Sequence, residues 1–166
     1  MHSTGCSALR PTCRRRTGGA GSVAGVAAVE LALLLAPLLV MLFGVAELGR
    51  AFYTYNTLAK TVRDAARHLS QHGPGDALIA AEARCLAVHG NADCSGDVLA
   101  PGLTIAQVQL CDASLCAATH AGQSTGLGAV NLVTVGITGY PWTSVVQWVV
   151  PNMRFNTISV TLRAQL

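Results

Sequence analysis

Charged residues are scarce in this chain, which removes some classes of function from consideration. Asp, Glu, Lys and Arg account for 11% of the 166 residues, against about 25% in an average soluble domain. Four of the eleven basic residues, Arg10 and Arg14 to Arg16, lie near the N-terminus. Beyond residue 70 the sequence offers no basic face of the kind that nucleic-acid or phosphate binding requires. The composition therefore argues against both of these functions.

The sequence also lacks a convincing catalytic or metal-binding motif. Residues 122–126 match G-x-S-x-G and His120 lies nearby, but a nucleophile elbow needs a strand before it and a helix after it, and neither is predicted here. His68 and His72 have i,i+4 spacing without the glutamate of H-E-x-x-H or a third ligand. We therefore expect no enzymatic activity, no cofactor, no small-molecule substrate and no metal.

What the chain has instead is one long apolar run, residues 26–46. About 20 residues suffice to cross a bilayer as a helix, and the preceding Arg cluster predicts a cytoplasmic N-terminus with the C-terminal part exported. Pro37 is expected to kink the helix. A row of small residues would let another helix approach closely. Its members are Ala28, Ala32, Ala36 and Gly44.

A carboxylate stands at the start of this run, where an unpaired charge is costly and usually functional. Glu30 follows Gly25 by five positions, and Glu47, Gly49 and Arg50 come directly after the run. Over residues 21–70 this combination resembles the N-terminus of TadE-family pseudopilins of Flp (type IVb) pilus systems, although Leu31 stands where the family usually has an aromatic residue.

The resemblance implies a minor pseudopilin in Tad/Flp pilus biogenesis or secretion. A prepilin peptidase would cut between Gly25 and Val26, which makes Glu30 the fifth mature residue. Physically, its carboxylate can neutralise an α-ammonium in low-dielectric surroundings. The implied partners are the peptidase, other pilins and pseudopilins, Tad inner-membrane assembly proteins and the lipid bilayer. The implied location is the bacterial inner membrane, single-pass with a cytoplasmic N-terminus and a periplasmic domain; the resemblance leaves open whether the subunit enters the pilus fibre or stays in a basal complex.

Two alternatives remain open at this point. Residues 44–46 read as a small-x-small signal-peptidase site, so cleavage before Glu47 would release a secreted domain. An uncut chain would instead be a membrane-anchored periplasmic binding module, with Trp142 and Trp148 on its contact surface. The mature N-terminus distinguishes all three possibilities.

After the apolar run the pattern becomes that of an amphipathic helix as far as Ser70, with Leu48, Phe52 and Leu58 on its apolar face. A second helix is predicted from Ala77 to about Val88, capped by Asp76. Strands are predicted at residues 103–110, 130–138 and 155–166. The expected fold is α+β and pilin-like, a long N-terminal helix packed on a small antiparallel sheet. Its segments are a basic leader (1–25), a transmembrane helix (26–46), its amphipathic extension (47–72) and a periplasmic domain (73–166).

The six cysteines divide at the apolar run. Cys6 and Cys13 precede it and are expected to be reduced thiols; Cys85, Cys94, Cys111 and Cys116 follow it. Four exported cysteines suggest two disulfides with three possible connectivities. We favour the local pairs 85–94 and 111–116, because each closes a short loop rich in turn residues. Zinc is disfavoured, because the spacings contain no C-x2-C pair.

Overall fold

The computed structural model describes residues 21–126 and 128–165, with side chains from Gly25 onward. The basic cluster, Cys6 and Cys13 therefore lie outside the described residues. The chain divides into two compact units between Leu39 and Val40. The described part of the first unit is helical throughout, and the second contains the remaining elements.

The dominant element is helix α1, Gly21–Ser70, which is continuous across Pro37. Its first part is rich in Ala and Leu, residues that lose little conformational freedom in a helix. Every described side chain from Val26 to Leu39 is exposed. In the described part of the chain, α1 is the one helix long and apolar enough to cross a membrane. The helix thus presents to its surroundings a surface that favours lipid over water.

The C-terminal half of α1 contributes one wall of the core. Apolar residues three and four positions apart fall on one helix face, and here that face is fully buried. Its buried apolar members are Leu58, Val62, Ala65, Ala66 and Leu69. They form one cluster with residues of the second helix and of the sheet. The predicted amphipathic helix over this stretch is confirmed.

Helix α2, Ala77–His89, begins and ends at residues that satisfy its terminal backbone groups. The Asp76 carboxylate accepts hydrogen bonds from the N–H groups of Leu78 and Ile79, which is the usual role of an N-cap. Gly90 ends the helix in the left-handed conformation, with φ of 78°, where glycine carries no steric penalty. Both signals were legible in the sequence.

The second half of the domain is a three-stranded antiparallel sheet. After a single 3-10 turn (Ile105–Gln107) come β1 (Val108–Cys111), the central β4 (Leu132–Ile137) and β7 (Ile158–Arg163), in the order β1-β4-β7. Val135 pairs with Leu110 on one side and with Val160 on the other. Alternate β4 residues enter the core, and Val135 is fully buried. The α+β architecture, a long N-terminal helix and a small antiparallel sheet, is as predicted.

The domain also contains two short hairpins and a helical turn. The helical turn α3 (Ala117–His120) precedes the hairpin of β2 (Gln123–Ser124) with β3 (Ala129–Val130). The second hairpin joins β5 (Pro141–Trp142) to β6 (Met153–Arg154). Neither hairpin is among the predicted strands, because two-residue strands carry too little periodicity to be recognised.

Both favoured disulfides are present. Cys85–Cys94 joins α2 to the segment after it, and Cys111–Cys116 closes the loop between β1 and α3. Each closes a short loop, with sequence separations of 9 and 5 residues. Cross-links of this kind stabilise mainly by restricting the unfolded chain, by on the order of 2–3 kcal/mol for short loops.

Candidate assembly site

The expected processing position lies in the first unit. Gly25 is helical and exposed, and a Cβ added to it would meet no other atom within 4 Å. Val26 is also exposed. A helical backbone must open locally before a protease can bind it in extended form, and glycine is the residue that permits this most readily.

Glu30 and the small-residue row occupy the same helix. Glu30, Ala28, Ala32 and Ala36 are all exposed. Within the described part of the chain the contacts between basic and acidic side chains are Arg50–Glu47 and His68–Glu82, and Glu30 takes part in neither. Gly44 differs from the alanines, because a Cβ placed there would lie 3.6 Å from Val149 Cγ1. Gly44 therefore adjoins the chain's own domain rather than open surroundings.

Glu47 and Arg50 connect α1 to the loop after β5. Glu47 is only 5% exposed, and Arg50 Nη2 donates to its Oε2 over 3.0 Å. The same nitrogen donates to the Thr143 carbonyl, and the guanidinium carbon lies 4.8 Å from the centre of the Trp142 ring. A planar guanidinium is suited to such combined hydrogen bonding and stacking. This arrangement fixes the loop against the helix.

The pKa of Glu47 reflects this environment. Burial alone would raise it, but the hydrogen bond and positive charge of Arg50, together with hydrogen bonds from Ser144 and the Val145 backbone, lower the pKa below its ordinary value. Glu47 therefore stays ionised at neutral pH and keeps the Arg50 contact. The structure turns the guanidinium of Arg50 toward the Trp142 ring.

A stripe of apolar side chains on α1 remains exposed beside the contact between Glu47, Arg50 and Trp142. Its members, spaced four, three and four residues apart along α1, are Met41, Val45, Leu48 and Phe52. Leu48 is 55% and Phe52 is 60% exposed, so the prediction that they pack beneath the domain is wrong. On this side of α1 full burial of apolar residues begins at Leu58, whereas the side that carries Glu47 is already covered by the loop after β5. We call these four residues the exposed stripe.

The proposed contact surface of two tryptophans is also only half correct. Trp142 is 2% exposed and belongs to the core, whereas Trp148 is 72% exposed. Trp142 lies on β5, facing Arg50, and Trp148 lies in the long loop that follows. Any contact surface on this side is therefore formed by the loop and not by both rings.

The cysteine and histidine cluster offers no free metal ligand in this fold. Cys111, Cys116 and His120 bring three ligand atoms within 4.8 Å of one another, but the two sulfurs are joined as a disulfide. His120 Nδ1 lies 2.7 Å from the Thr119 hydroxyl and Nε2 lies 2.8 Å from that of Thr134. Ser124, from the G-x-S-x-G match, is an exposed residue of a two-residue strand and not of a nucleophile elbow.

Asp112 is the polar residue that sequence reasoning missed. It is 4% exposed and accepts hydrogen bonds from the Gly75 and Leu115 N–H groups and from both the N–H and the hydroxyl of Ser114. Burial alone would raise its pKa, but these donors, led by the Ser114 hydroxyl, lower it to about 2. Asp112 thereby ties the turn after α1 to the Cys111–Cys116 loop.

One family of known proteins matches a segment that lies entirely within α1. Residues 25–67 match the family described as TadE-like protein. This segment is TadE-like. The match begins at Gly25, includes Glu30, Glu47 and Arg50, and ends within the buried part of α1. Curated proteins and solved structures give no match to the chain.

A TadE-like segment indicates involvement in a Tad pilus and association with pilus assembly components. An apolar helix that could span a membrane is consistent with a membrane-anchored pilus protein. The TadE-like segment contains the exposed stripe.

Proposed function

We propose that the chain is a minor pseudopilin-like structural component of Tad/Flp pilus biogenesis or secretion, matured by a prepilin peptidase. Its partners are that peptidase, other pilins or pseudopilins and the inner-membrane Tad proteins. It resides in the inner membrane as a single-pass protein with a periplasmic domain. Its role is to assemble with other helices, and it performs no chemistry of its own.

The observation that carries the proposal is the exposed stripe. Leu48 and Phe52 are exposed and lie beyond the apolar run of residues 26–46. Exposed apolar side chains in a contiguous row usually mark an interaction surface. A stripe spaced four and three residues apart fits a second helix packed along the first.

The TadE-like segment supplies the second support. Cleavage after Gly25 would place a new α-ammonium at Val26 and Glu30 one helical turn away, at a rise of about 6 Å. Charge neutralisation between the two, or between neighbouring subunits, would lower the cost of holding both in apolar surroundings. The oxidising environment that preserves Cys85–Cys94 and Cys111–Cys116 fits a periplasmic domain.

The mature N-terminus tests the proposal. In cells that contain the prepilin peptidase, Edman or mass-spectrometric analysis of the membrane-bound protein should give Val26 as the first residue. Gly25→Val should leave the full-length precursor in the membrane, because the side chain obstructs the peptidase and disfavours the extended backbone needed for cutting.

Gly49→Val is the matched control, because Gly49 is also an exposed helical glycine with no atom within 4 Å of an added Cβ. It should be processed as the wild type is. An N-terminus at Glu47 would instead indicate a domain released by signal peptidase, and an uncut wild-type chain would indicate an anchored binding module. Either result would overturn the pseudopilin proposal.

A further inference from the structure

The loop between β5 and β6 carries no charge and displays large apolar side chains. From Gly139 to Met153 the chain contains no Asp, Glu, Lys or Arg. Trp148 is 72% exposed and Val145 is similarly uncovered. Water-facing loops of soluble domains are usually rich in polar residues, so an uncharged loop with an exposed tryptophan requires an explanation.

The loop has a defined conformation and is not a loose connection. The N–H groups of Val149 and Val150 both donate to the Val146 carbonyl over 3.0 Å, which forms a helical turn. The Ser144 N–H donates to Asn152 Oδ1 and the Ser144 hydroxyl accepts from the Val146 N–H. The turn therefore gives the backbone at Trp148 a defined conformation.

Contacts with α1 set the level of the loop along the helix. Val149 lies against Gly44, with its Cγ1 3.6 Å from the Cβ position of that residue. Arg50 donates to the Thr143 carbonyl, and its guanidinium carbon lies 4.8 Å from the centre of the Trp142 ring. The loop thus follows the helix from residue 44 to residue 50, where the apolar run ends and the first charges appear.

If α1 crosses a bilayer, this level is the boundary between lipid and water. Glu47 and Arg50 need water or each other, whereas the residues before them favour hydrocarbon. Tryptophan prefers that boundary, because its ring is apolar and its N–H can still reach water or a headgroup. Arg154, the first charge after the loop, is exposed at its base and suited to a lipid phosphate.

We propose that this loop is a membrane-interface anchor, with Trp148 and Val145 inserted into the headgroup region of the bilayer that α1 crosses. The occupant of this surface is lipid, not a partner protein. Insertion would hold the domain at a fixed depth and orientation relative to the membrane. The inference requires only that the helix spans a membrane and is independent of processing or pilus assembly.

The test uses the full chain reconstituted in phosphatidylcholine and phosphatidylglycerol vesicles, with resistance to alkaline extraction as proof of integration. Subtracting the emission of the Trp148→Phe variant from that of the wild type isolates Trp148 from the buried Trp142. We expect a blue shift relative to tryptophan in water and protection from aqueous iodide. Lipids brominated near the headgroup end of the acyl chain should quench Trp148 more than lipids brominated near its methyl end.

A matched control places a tryptophan at the far end of the domain. Leu115 is exposed, and its N–H binds Asp112, which in turn binds Gly75 beyond the end of α1. From Gly44 to Ser70 the helix rises about 40 Å. Leu115→Trp in the Trp148→Phe background should be quenched by iodide and not by brominated lipid.

Three results would overturn the proposal. Trp148 could be quenched by iodide as strongly as the Leu115→Trp control, which would place the loop in water. It could be protected from both quenchers, which would indicate burial between copies of the chain. It could be quenched most by bromine near the methyl end, which would place it in the hydrocarbon interior. Failure of integration itself would contradict the membrane span and hence the proposed function as well.

Discussion

At the scale of single residues, Asp112 is the group whose ionisation contributes most clearly to the fold. A carboxyl whose folded pKa lies below its unfolded value stabilises the fold fully above the unfolded value, 3.8, and loses that contribution as the pH falls through about 2. A depression of this size corresponds to about 2 kcal/mol. Asp112→Asn should therefore lower the free energy of unfolding of the domain by about 2 kcal/mol at pH 7.

The measurement is denaturant unfolding of the full chain in detergent, followed by near-ultraviolet circular dichroism between pH 7 and pH 2. The difference between wild type and Asp112→Asn should shrink toward zero at the acid end. Asp97→Asn serves as the control, because Asp97 is exposed and accepts no hydrogen bond recorded within residues 21–126 and 128–165. A constant difference at all pH values would assign the loss to packing and not to the charge.

The structural roles of some residues can be predicted from the sequence, and those of others cannot. Asp76 and Gly90 are helix-cap residues at the ends of a periodic segment, so their roles follow from local rules. Glu47 and Arg50 are visible as a motif, but the ring that Arg50 contacts lies on a strand about 90 residues later. Asp112 looks like any turn residue, because its Gly75 partner is 37 positions away.

At the scale of elements, α1 changes its environment along its length while its sequence pattern changes only gradually. The apolar period continues from Leu48 to Leu69, so periodicity alone predicts one buried face. The structure buries this face from Leu58 onward and leaves Leu48 and Phe52 exposed. Periodicity identifies which side of a helix is apolar, but the rest of the fold decides how many of its turns are covered.

Phe52→Ser tests the role assigned to the exposed stripe. Because the ring is 60% exposed, the change should alter the free energy of unfolding by no more than about 0.5 kcal/mol. It should nevertheless reduce co-purification with other pilin-like subunits and the number of pili, because it removes apolar area from the helix contact.

Tyr53→Ser is the matched control for Phe52→Ser. Tyr53 is the next residue, is 75% exposed and points about 100° away around the helix. The Tyr53→Ser variant should leave both co-purification and piliation at the wild-type level. Equal losses from the two variants would show that any large side chain here matters, which argues against a stripe. No loss from either would remove this surface from the assembly.

At the scale of the whole molecule, the architecture follows from the sequence because each unit carries its own strong signal. The apolar run predicts the long helix, the period-two segment 155–166 predicts β7, and the cysteine spacing predicts both disulfides. The β5–β6 hairpin was not predictable, because its two-residue strands are defined by the partners they find in the fold. The function proposed for the loop between β5 and β6 therefore depends on the structure and not on a sequence pattern.

In the proposed function Glu30 acts in assembly of the whole molecule with its neighbours, and its substitution tests this role. Glu30→Gln should insert and be processed normally, because a neutral amide is easier to place near lipid than a carboxylate. It cannot neutralise the α-ammonium of Val26 in its own chain or in a neighbour, and an unpaired ammonium in apolar surroundings opposes docking. We therefore expect few or no pili by electron microscopy, with membrane fractionation and the mature mass unchanged.

Glu82→Gln separates this effect from a general loss of negative charge. Glu82 lies on α2, where its Oε2 is 3.0 Å from His68 Nε2, far along the sequence from the apolar run. Its substitution should leave piliation intact. Wild-type piliation by the Glu30→Gln variant would show that Glu30 is a carboxylate at the membrane surface with no role in assembly. A precursor that accumulates uncut would instead place Glu30 in recognition by the peptidase, before assembly begins.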